Sequence, residues 1–101
     1  MIKHIVMWQV KEHEIHGSKE EVISKMKVAL EGLKGKIEGL LEIEVGGNFN
    51  TTDSAYDVVL YSTFTNKEAL VGYQNHPLHV AIGQELVRQV AINRAVVDYE
   101  V

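Results

Sequence analysis

The chain has 101 residues, of which 46% are hydrophobic and 24% charged, and its net charge is −4. This length and composition are typical of a single globular domain. The acidic balance, without a stripe of lysine or arginine, argues against nucleic acid as a partner. The absence of cysteine excludes disulfides and thiol chemistry. The opening MIKHIVMWQV is too short and too polar for a signal peptide or a membrane span, so we expect a cytoplasmic protein without a membrane partner.

The first elements predicted along the chain are a strand and a helix. Residues 2–10 are rich in β-branched and aromatic side chains, which favours a strand. Ser18 and Glu21 then have the spacing of a capping box. Apolar residues follow at helical intervals, and Gly35 is the predicted helix end.

Three further strands are predicted. Residues 40–45 alternate between apolar and acidic side chains, and residues 56–64 and 94–101 also have strand composition. The intervening GGNFNTTDS reads as a loop, beneath which we expect Phe49 to pack.

A broken second helix is predicted between the last two strands. Thr65 and Glu68 form a possible capping box for a helix that runs through Tyr73. Pro77 ends that piece, because it lacks an N–H and disfavours helical geometry at the preceding residue. Proline is favoured in the first turn of a helix, so a second piece is expected from Pro77 to about Val90.

The resulting order β-α-β-β-α-β predicts an α+β fold of the ferredoxin-like type, as one domain over residues 1–101, with the first and third strands central. The first strand is apolar on both faces, with Met7 on one and Trp8 on the other. Helices can cover only one face of such a sheet, and the alternation leaves open which one. We therefore expect the other face to be covered by a second copy of the chain, in a homodimer.

Three stretches resemble a known family: MIKHIVMW at the start, YQNHPLH after the third strand and RAVVDYE at the end. Together they are similar to the stress-responsive α/β-barrel domain (Dabb) family over essentially the whole chain. The specific part is the HPxH stretch with its preceding tyrosine. The resemblance implies a dimeric α+β barrel made of two ferredoxin-like subunits.

The resemblance also implies candidate site residues. One member of the family closes a linear polyketide by aldol condensation with a tyrosine and the second histidine of HPxH, which fall on Tyr73 and His79. A further pocket histidine of that member falls on His4. Its pocket histidine early in the third strand is replaced here by Asp57, a change in the acid–base set of the pocket.

The residue types allow two interpretations of these positions. A histidine such as His79 can act as a base near neutral pH, and a phenol such as Tyr73 can hold an oxyanion. Asp57 could orient an imidazole, or it could lie solvated at the start of its strand. The structural interpretation is that the histidines pack, cap helices or, as we expect for His76, shape the turn.

A metal site is not predicted. His13 and His16 lie in the acidic loop KEHEIHG, and His-x-x-His among acids can bind a divalent ion. No third ligand stands at convincing spacing, so we read the loop as a solvated turn. We likewise predict no cofactor.

Two functional hypotheses follow from the sequence. In the first, the protein is a cofactor-free enzyme acting on a small apolar carbonyl compound in a pocket lined by Trp8. His79 would remove a proton, Tyr73 would hold the oxyanion and His4 would orient the substrate, with Asp57 also at the pocket. In the second, the protein is a non-catalytic small-molecule-binding or structural stress-related homodimer. An enclosed cavity reached by His4, Tyr73 and His79 would favour the first hypothesis.

Overall fold

A computed structural model describes residues 1–101 as a four-stranded antiparallel sheet in the order β2-β3-β1-β4, with helices packed against it. The elements are β1 (Ile2–Val10), α1 (Lys19–Glu31), β2 (Leu40–Gly47), β3 (Val58–Phe64), α2 (Lys67–Asn75), α3 (Pro77–Ile82), a π-helical segment (Gly83–Val87), α4 (Arg88–Val90) and β4 (Ala91–Glu100). The ferredoxin-like α+β fold and the central position of β1 and β3 are confirmed. None of the helices is long and apolar enough to cross a membrane.

The core lies between one face of the sheet and the helices. Alternate residues of β1 are buried there, because successive side chains of a strand point to opposite faces. The register places Trp8 opposite Val58 and Val6 opposite Leu60, so these residues share the helix-facing side. The helices contribute the buried side chains of Val22, Met26, Leu30, Leu70, Tyr73, Leu86 and Val90.

The second face of the sheet carries no helix. The cross-strand pairs Met7–Val59, Ile5–Tyr61 and Ile5–Val97 lie on it, opposite to Trp8. Trp8 and Tyr61 therefore lie on opposite faces of the sheet, so their side chains do not fill the same cavity. We call this second surface the open face: Lys3, Ile5, Met7, Gln9, Glu42, Glu44, Gly46, Val59, Tyr61, Thr63, Asn93, Ala95, Val97 and Tyr99.

The first helix begins as predicted and ends earlier. The Ser18 side chain accepts from the Glu21 N–H, and the Glu21 carboxylate accepts from the Ser18 N–H, which completes the capping box. The helix closes at Gly32 instead of Gly35. The apolar periodicity continues past the helix because Leu33, although it lies in a turn, is still buried.

The predicted cap of the second helix is one residue out of place. Asn66, rather than Thr65, caps α2: its side-chain oxygen accepts from the Ala69 N–H at 2.8 Å. The Thr65 N–H instead donates to the carbonyl of Gly39 at 3.0 Å. Gly39 has a φ of 81°, and a Cβ there would lie 2.4 Å from that of Ala69. The close approach of this segment to α2 thus requires glycine at position 39.

The predicted break at Pro77 is confirmed. Pro77 is the first residue of α3, and a single residue lies between it and the end of α2. His76 separates the two helices with an extended backbone, and its Nδ1 accepts from the Leu78 N–H at 3.1 Å. His76 is therefore the cap of a turn, as expected.

Other strand boundaries and the loop between β2 and β3 differ from expectation. β2 extends to Gly47, β3 starts at Val58 and β4 starts at Ala91. Phe49 does not pack beneath its loop: 98% of the residue is exposed.

Candidate functional site

A cavity of about 400 Å³ opens between the sheet and the broken helix. Its apolar wall comes from Val6, Trp8, Leu30 and Leu60, which are all buried residues of the core. Its other walls come from the end of α2, the segment from α3 to α4 and the start of β4. An apolar pocket with a few polar groups at this size is the usual form of a small-molecule site.

His4 is the buried polar residue of the sheet wall. It is 3% exposed, and its ring Nδ1 donates to the Asp98 carboxylate on the neighbouring strand β4. The pair forms because β1 and β4 are antiparallel and place His4 directly opposite Asp98. With Nδ1 held in this way, Nε2 is the ring nitrogen left free for other partners.

Tyr73 lies beside both site histidines. Its ring centroid is 4.2 Å from that of His79 and 6.2 Å from that of His4. The residue is fully buried, and its hydroxyl has no hydrogen-bond partner in the chain. Burial raises the pKa of this phenol well above its usual range, so the group stays a proton-bearing donor.

His79 is half-buried at the helical wall of the cavity. Its Nδ1 donates to the backbone carbonyl of Gln74 at 3.3 Å, which leaves Nε2 as an acceptor. Desolvation lowers the pKa of His79 below 6.5, and the nearby His4, Arg94 and His76 lower it further against the opposing Gln74 hydrogen bond. The ring is therefore neutral at physiological pH, which is the form that a general base requires.

The structure thus brings His4, Trp8 and His79 to one cavity, with Tyr73 packed against the two histidines. Together they provide a neutral imidazole, a carboxylate-held imidazole and an unpaired phenol. These groups can remove a proton from a bound molecule, and the phenol can donate a hydrogen bond to an oxygen on it.

Asp57 does not reach this cavity. Its carboxylate accepts from the Val10 N–H at 2.8 Å and from the Lys19 ammonium at 3.3 Å. It tethers the end of β1 to the start of α1, because the backbone N–H of Val10 requires an acceptor there. The carboxylate that orients an imidazole in this protein is Asp98.

Sequence reasoning missed both Asp98 and the arginines of the cavity, Arg88 and Arg94. The available signal for Asp98 was the antiparallel pairing of the first and last strands, which brings the two chain ends side by side. Residues equally far from these ends then face each other, but the register has to be known to within one residue.

The two histidines of the loop before α1, His13 and His16, form hydrogen bonds within the chain. His13 Nδ1 accepts from the backbone N–H groups of Ile15 and His16, and His16 pairs with the side chain of Gln89 at 2.9 Å. No group of three histidine, aspartate or glutamate side chains is placed to hold a metal ion.

Comparison with known proteins shows the family of this chain. The model of the stress responsive A/B barrel domain, Dabb, matches residues 2–101. An uncharacterized protein of Streptomyces coelicolor is 32% identical over 100 residues, covering 99% of each chain.

Two solved structures have a similar fold at very different levels of sequence identity. A dimeric protein of unknown function from Bacteroides fragilis has a TM-score of 0.83 and 35% identity over 99% of this chain and 95% of its own. A hydroxynitrile lyase from Passiflora edulis has a TM-score of 0.72 but only 14% identity, over 99% and 92%; this likeness concerns the fold alone. The sequence match over nearly its full length assigns the chain to the stress responsive A/B barrel domain (Dabb) family.

Proposed function

We propose that this protein is an acid–base enzyme that moves a proton next to the carbonyl group of a small, largely apolar compound. One observation carries the proposal: a single apolar cavity has His79 and the Asp98-held His4 in its walls, with the unpaired Tyr73 hydroxyl beside them. A purely structural role would leave this buried hydroxyl without a partner, which is costly.

His79 is the proposed base. Its Nε2 takes the proton from the carbon next to the carbonyl; the C–H bond breaks and its electron pair moves to the carbonyl oxygen, which becomes an enolate. Because the Gln74 carbonyl holds Nδ1–H, the ring presents its free nitrogen in one orientation. Return of the proton to the enolate oxygen gives the enol, and its return to the opposite face of the same carbon inverts that centre. Attack of the enolate carbon on a second carbonyl forms the C–C bond of an aldol closure, and the resulting alkoxide takes the proton from His79.

Tyr73 is the proposed oxygen-binding group, and His4 is the proposed orienting group. The Tyr73 hydroxyl is closed off from solvent, so a substrate oxygen reaches it only when the side chains around it make room. A donor that gains its partner only from the reacting oxygen stabilises the developing charge. His4 orients the substrate through Nε2, with its ring fixed by Asp98.

The test is deuterium exchange at carbonyl-adjacent carbons in D₂O, followed by NMR over a panel of small ketones and oxo acids. We expect His79→Gln to reduce exchange by about 10²–10⁴-fold, the usual contribution of a general base. Tyr73→Phe should reduce it by about 10²–10³-fold, as expected for one oxyanion donor. His16→Gln is the matched control, because His16 bonds Gln89 outside the cavity. Binding without exchange would instead support the non-catalytic binding protein, and equal exchange in all variants would refute the roles assigned to His79 and Tyr73.

We further propose that the protein is a homodimer joined through the open face. Val97 is 51% exposed there, next to Ile5 and Met7, and such a contiguous apolar surface is usually covered. The related protein from Bacteroides fragilis, at 35% identity, is dimeric. A second copy is the simplest cover for a self-complementary sheet face.

Light scattering tests the dimer. Val97→Arg should give a monomer, because it places a charge in the covered surface. Val28→Arg should remain dimeric, since Val28 is 75% exposed on α1, an element of the opposite side. A monomeric wild-type protein at micromolar concentration would contradict the proposal.

A further inference from the structure

The cavity carries positive charge in an acidic protein. Arg88 and Arg94 are the only arginines of the chain, and both line this one cavity. None of its lining residues is an aspartate or glutamate, although the chain as a whole has a net charge of −4. The lining thus holds two arginines and no acidic residue, and the carboxylate beside it, that of Asp98, is bound to His4.

Neither arginine has a partner within the chain. The side-chain ion pairs of this structure join Lys19 to Asp57 and Lys27 to Glu31, and the remaining charged-group contact is that of Asp98 with the His4 ring. Neither guanidinium takes part in a side-chain hydrogen bond. Two free planar donors at one site fit a carboxylate, which guanidinium groups bind with paired hydrogen bonds.

Two separate elements deliver the arginines. Arg94 lies on β4 directly opposite Trp8, on the same side of the sheet as His4. Arg88 begins α4, after the π-helical segment. Both are exposed, whereas Val6, Trp8, Leu30 and Leu60 are buried, so the cavity is apolar inside and cationic at its solvent side.

From this arrangement we infer that the ligand of the cavity is an amphipathic carboxylic acid. Its apolar body lies on the Trp8 wall and its carboxylate meets Arg88 and Arg94. The inference rests on the proposed function and names its substrate class: an oxo acid whose reacting carbonyl lies inside the cavity, between the carboxylate and the apolar end.

The charge of Arg94 gives an independent readout. Arg94 is one of the groups that lower the pKa of His79. A carboxylate bound at Arg94 offsets that charge, so acid binding should raise the pKa of His79, while a neutral ligand at the same site should not raise it.

The experiment compares 4-oxooctanoate with its methyl ester, which has the same carbonyl but no charge. Calorimetry should show that the wild-type protein binds the acid about 10- to 100-fold more tightly, the factor expected from hydrogen bonds to a charged group. The combined Arg88→Gln and Arg94→Gln change should remove this preference. Lys67→Gln, which alters an exposed cation outside the cavity, should keep it. Arg94→Lys, which retains the charge and loses the planar fork, should keep part of it.

Several results would overturn the inference: equal affinity for acid and ester, binding of neither, or a preference that survives the loss of both arginines. Circular dichroism of each variant separates lost recognition from lost folding. Deuterium exchange on the same two compounds separates the inference from the proposed function. Equal binding and exchange of acid and ester would overturn acid recognition and retain the enzyme. Arginine-dependent binding of the acid without exchange would support acid recognition and overturn the enzyme.

Discussion

Tyr73→Phe should make this protein more stable while it lowers the proposed activity. The Tyr73 hydroxyl is the single buried side-chain oxygen or nitrogen without a hydrogen-bond partner within the chain. The substitution deletes that oxygen and leaves the ring in its place against Phe64, at a centroid distance of 5.0 Å, and against His79. No contact of the folded chain is lost, so the desolvation of the hydroxyl is the quantity that changes.

The size of the effect follows from this cost. A buried polar group left unpaired destabilises a fold by about 1–3 kcal/mol, and Tyr73→Phe should recover a corresponding part of the free energy of unfolding. For a domain of about this length, each kcal/mol shifts the melting temperature by roughly 4–8 °C. Calorimetric melting at fixed protein concentration, which removes the effect of any dimerisation, measures the shift.

Ser62→Ala is the matched control for this substitution, because Ser62 is a buried hydroxyl on the same side of the sheet that does have a partner. The Ser62 hydroxyl donates to the backbone carbonyl of His4 at 3.0 Å, so its removal deletes a hydrogen bond worth about 0.5–1.5 kcal/mol. The changes in melting temperature of the two variants should therefore differ in sign. A melting temperature of Tyr73→Phe at or below that of the wild-type protein would refute the reasoning, because the hydroxyl would then have a stabilising partner such as an internal water.

Three further outcomes are expected. The NMR titration of His79 should have its midpoint below pH 6.5. The unfolded chain then binds a proton at His79 at a higher pH than the folded chain does. The contribution of neutral His79 to the free energy of unfolding is therefore complete above pH 6.5 and declines as the pH falls through the folded-state pKa. Suppression of that decline in His79→Gln, seen by melting between pH 7 and 5, is the check. Gly72→Ala should stabilise the protein by about 0.5–1 kcal/mol, because Gly72 lies within α2 with open space around the added methyl group; denaturant unfolding measures it, and destabilisation would contradict it. Asp98→Asn should change the ring-nitrogen shifts of His4 and slow exchange of the substrate, whereas unchanged shifts would show that the pair does not form in solution.

Local chemistry explains which parts of the fold could be predicted from the sequence. Pro77 dictates a helix break whatever surrounds it, and the Ser18–Glu21 box satisfies backbone groups only three residues away. The apolar periodicity likewise determined the order of elements and hence the strand order. The position of the α2 cap was predicted one residue too early: Asn66 caps the helix, while the Thr65 N–H makes a long-range hydrogen bond to the Gly39 carbonyl.

In the candidate site, too, the residues of a local motif could be predicted and those positioned by long-range contacts could not. His79 and Tyr73 belong to one short motif, so a family resemblance was enough to name them. Asp98 becomes visible only when the register of β1 against β4 is known, because a slip of one residue would turn its side chain to the open face. Asp57 was the acidic residue predicted at the pocket, but its carboxylate accepts hydrogen bonds from the Val10 N–H and the Lys19 ammonium instead.

The position of Arg88 depends on a π-helical turn, which the apolar periodicity of the sequence does not predict. Between α3 and α4 the chain adopts a π-helical turn over Gly83–Val87, in which hydrogen bonds join residues five apart instead of four. Gly83 and Arg88 are separated by five residues, and both line the cavity. A regular α-helix from Pro77 to Val90 would place these residues about 140° apart around its axis, since each residue turns the chain by about 100°. The wider turn thus brings Arg88 round to the cavity that Arg94 reaches from the sheet, and the paired arginines depend on backbone geometry as well as on residue type.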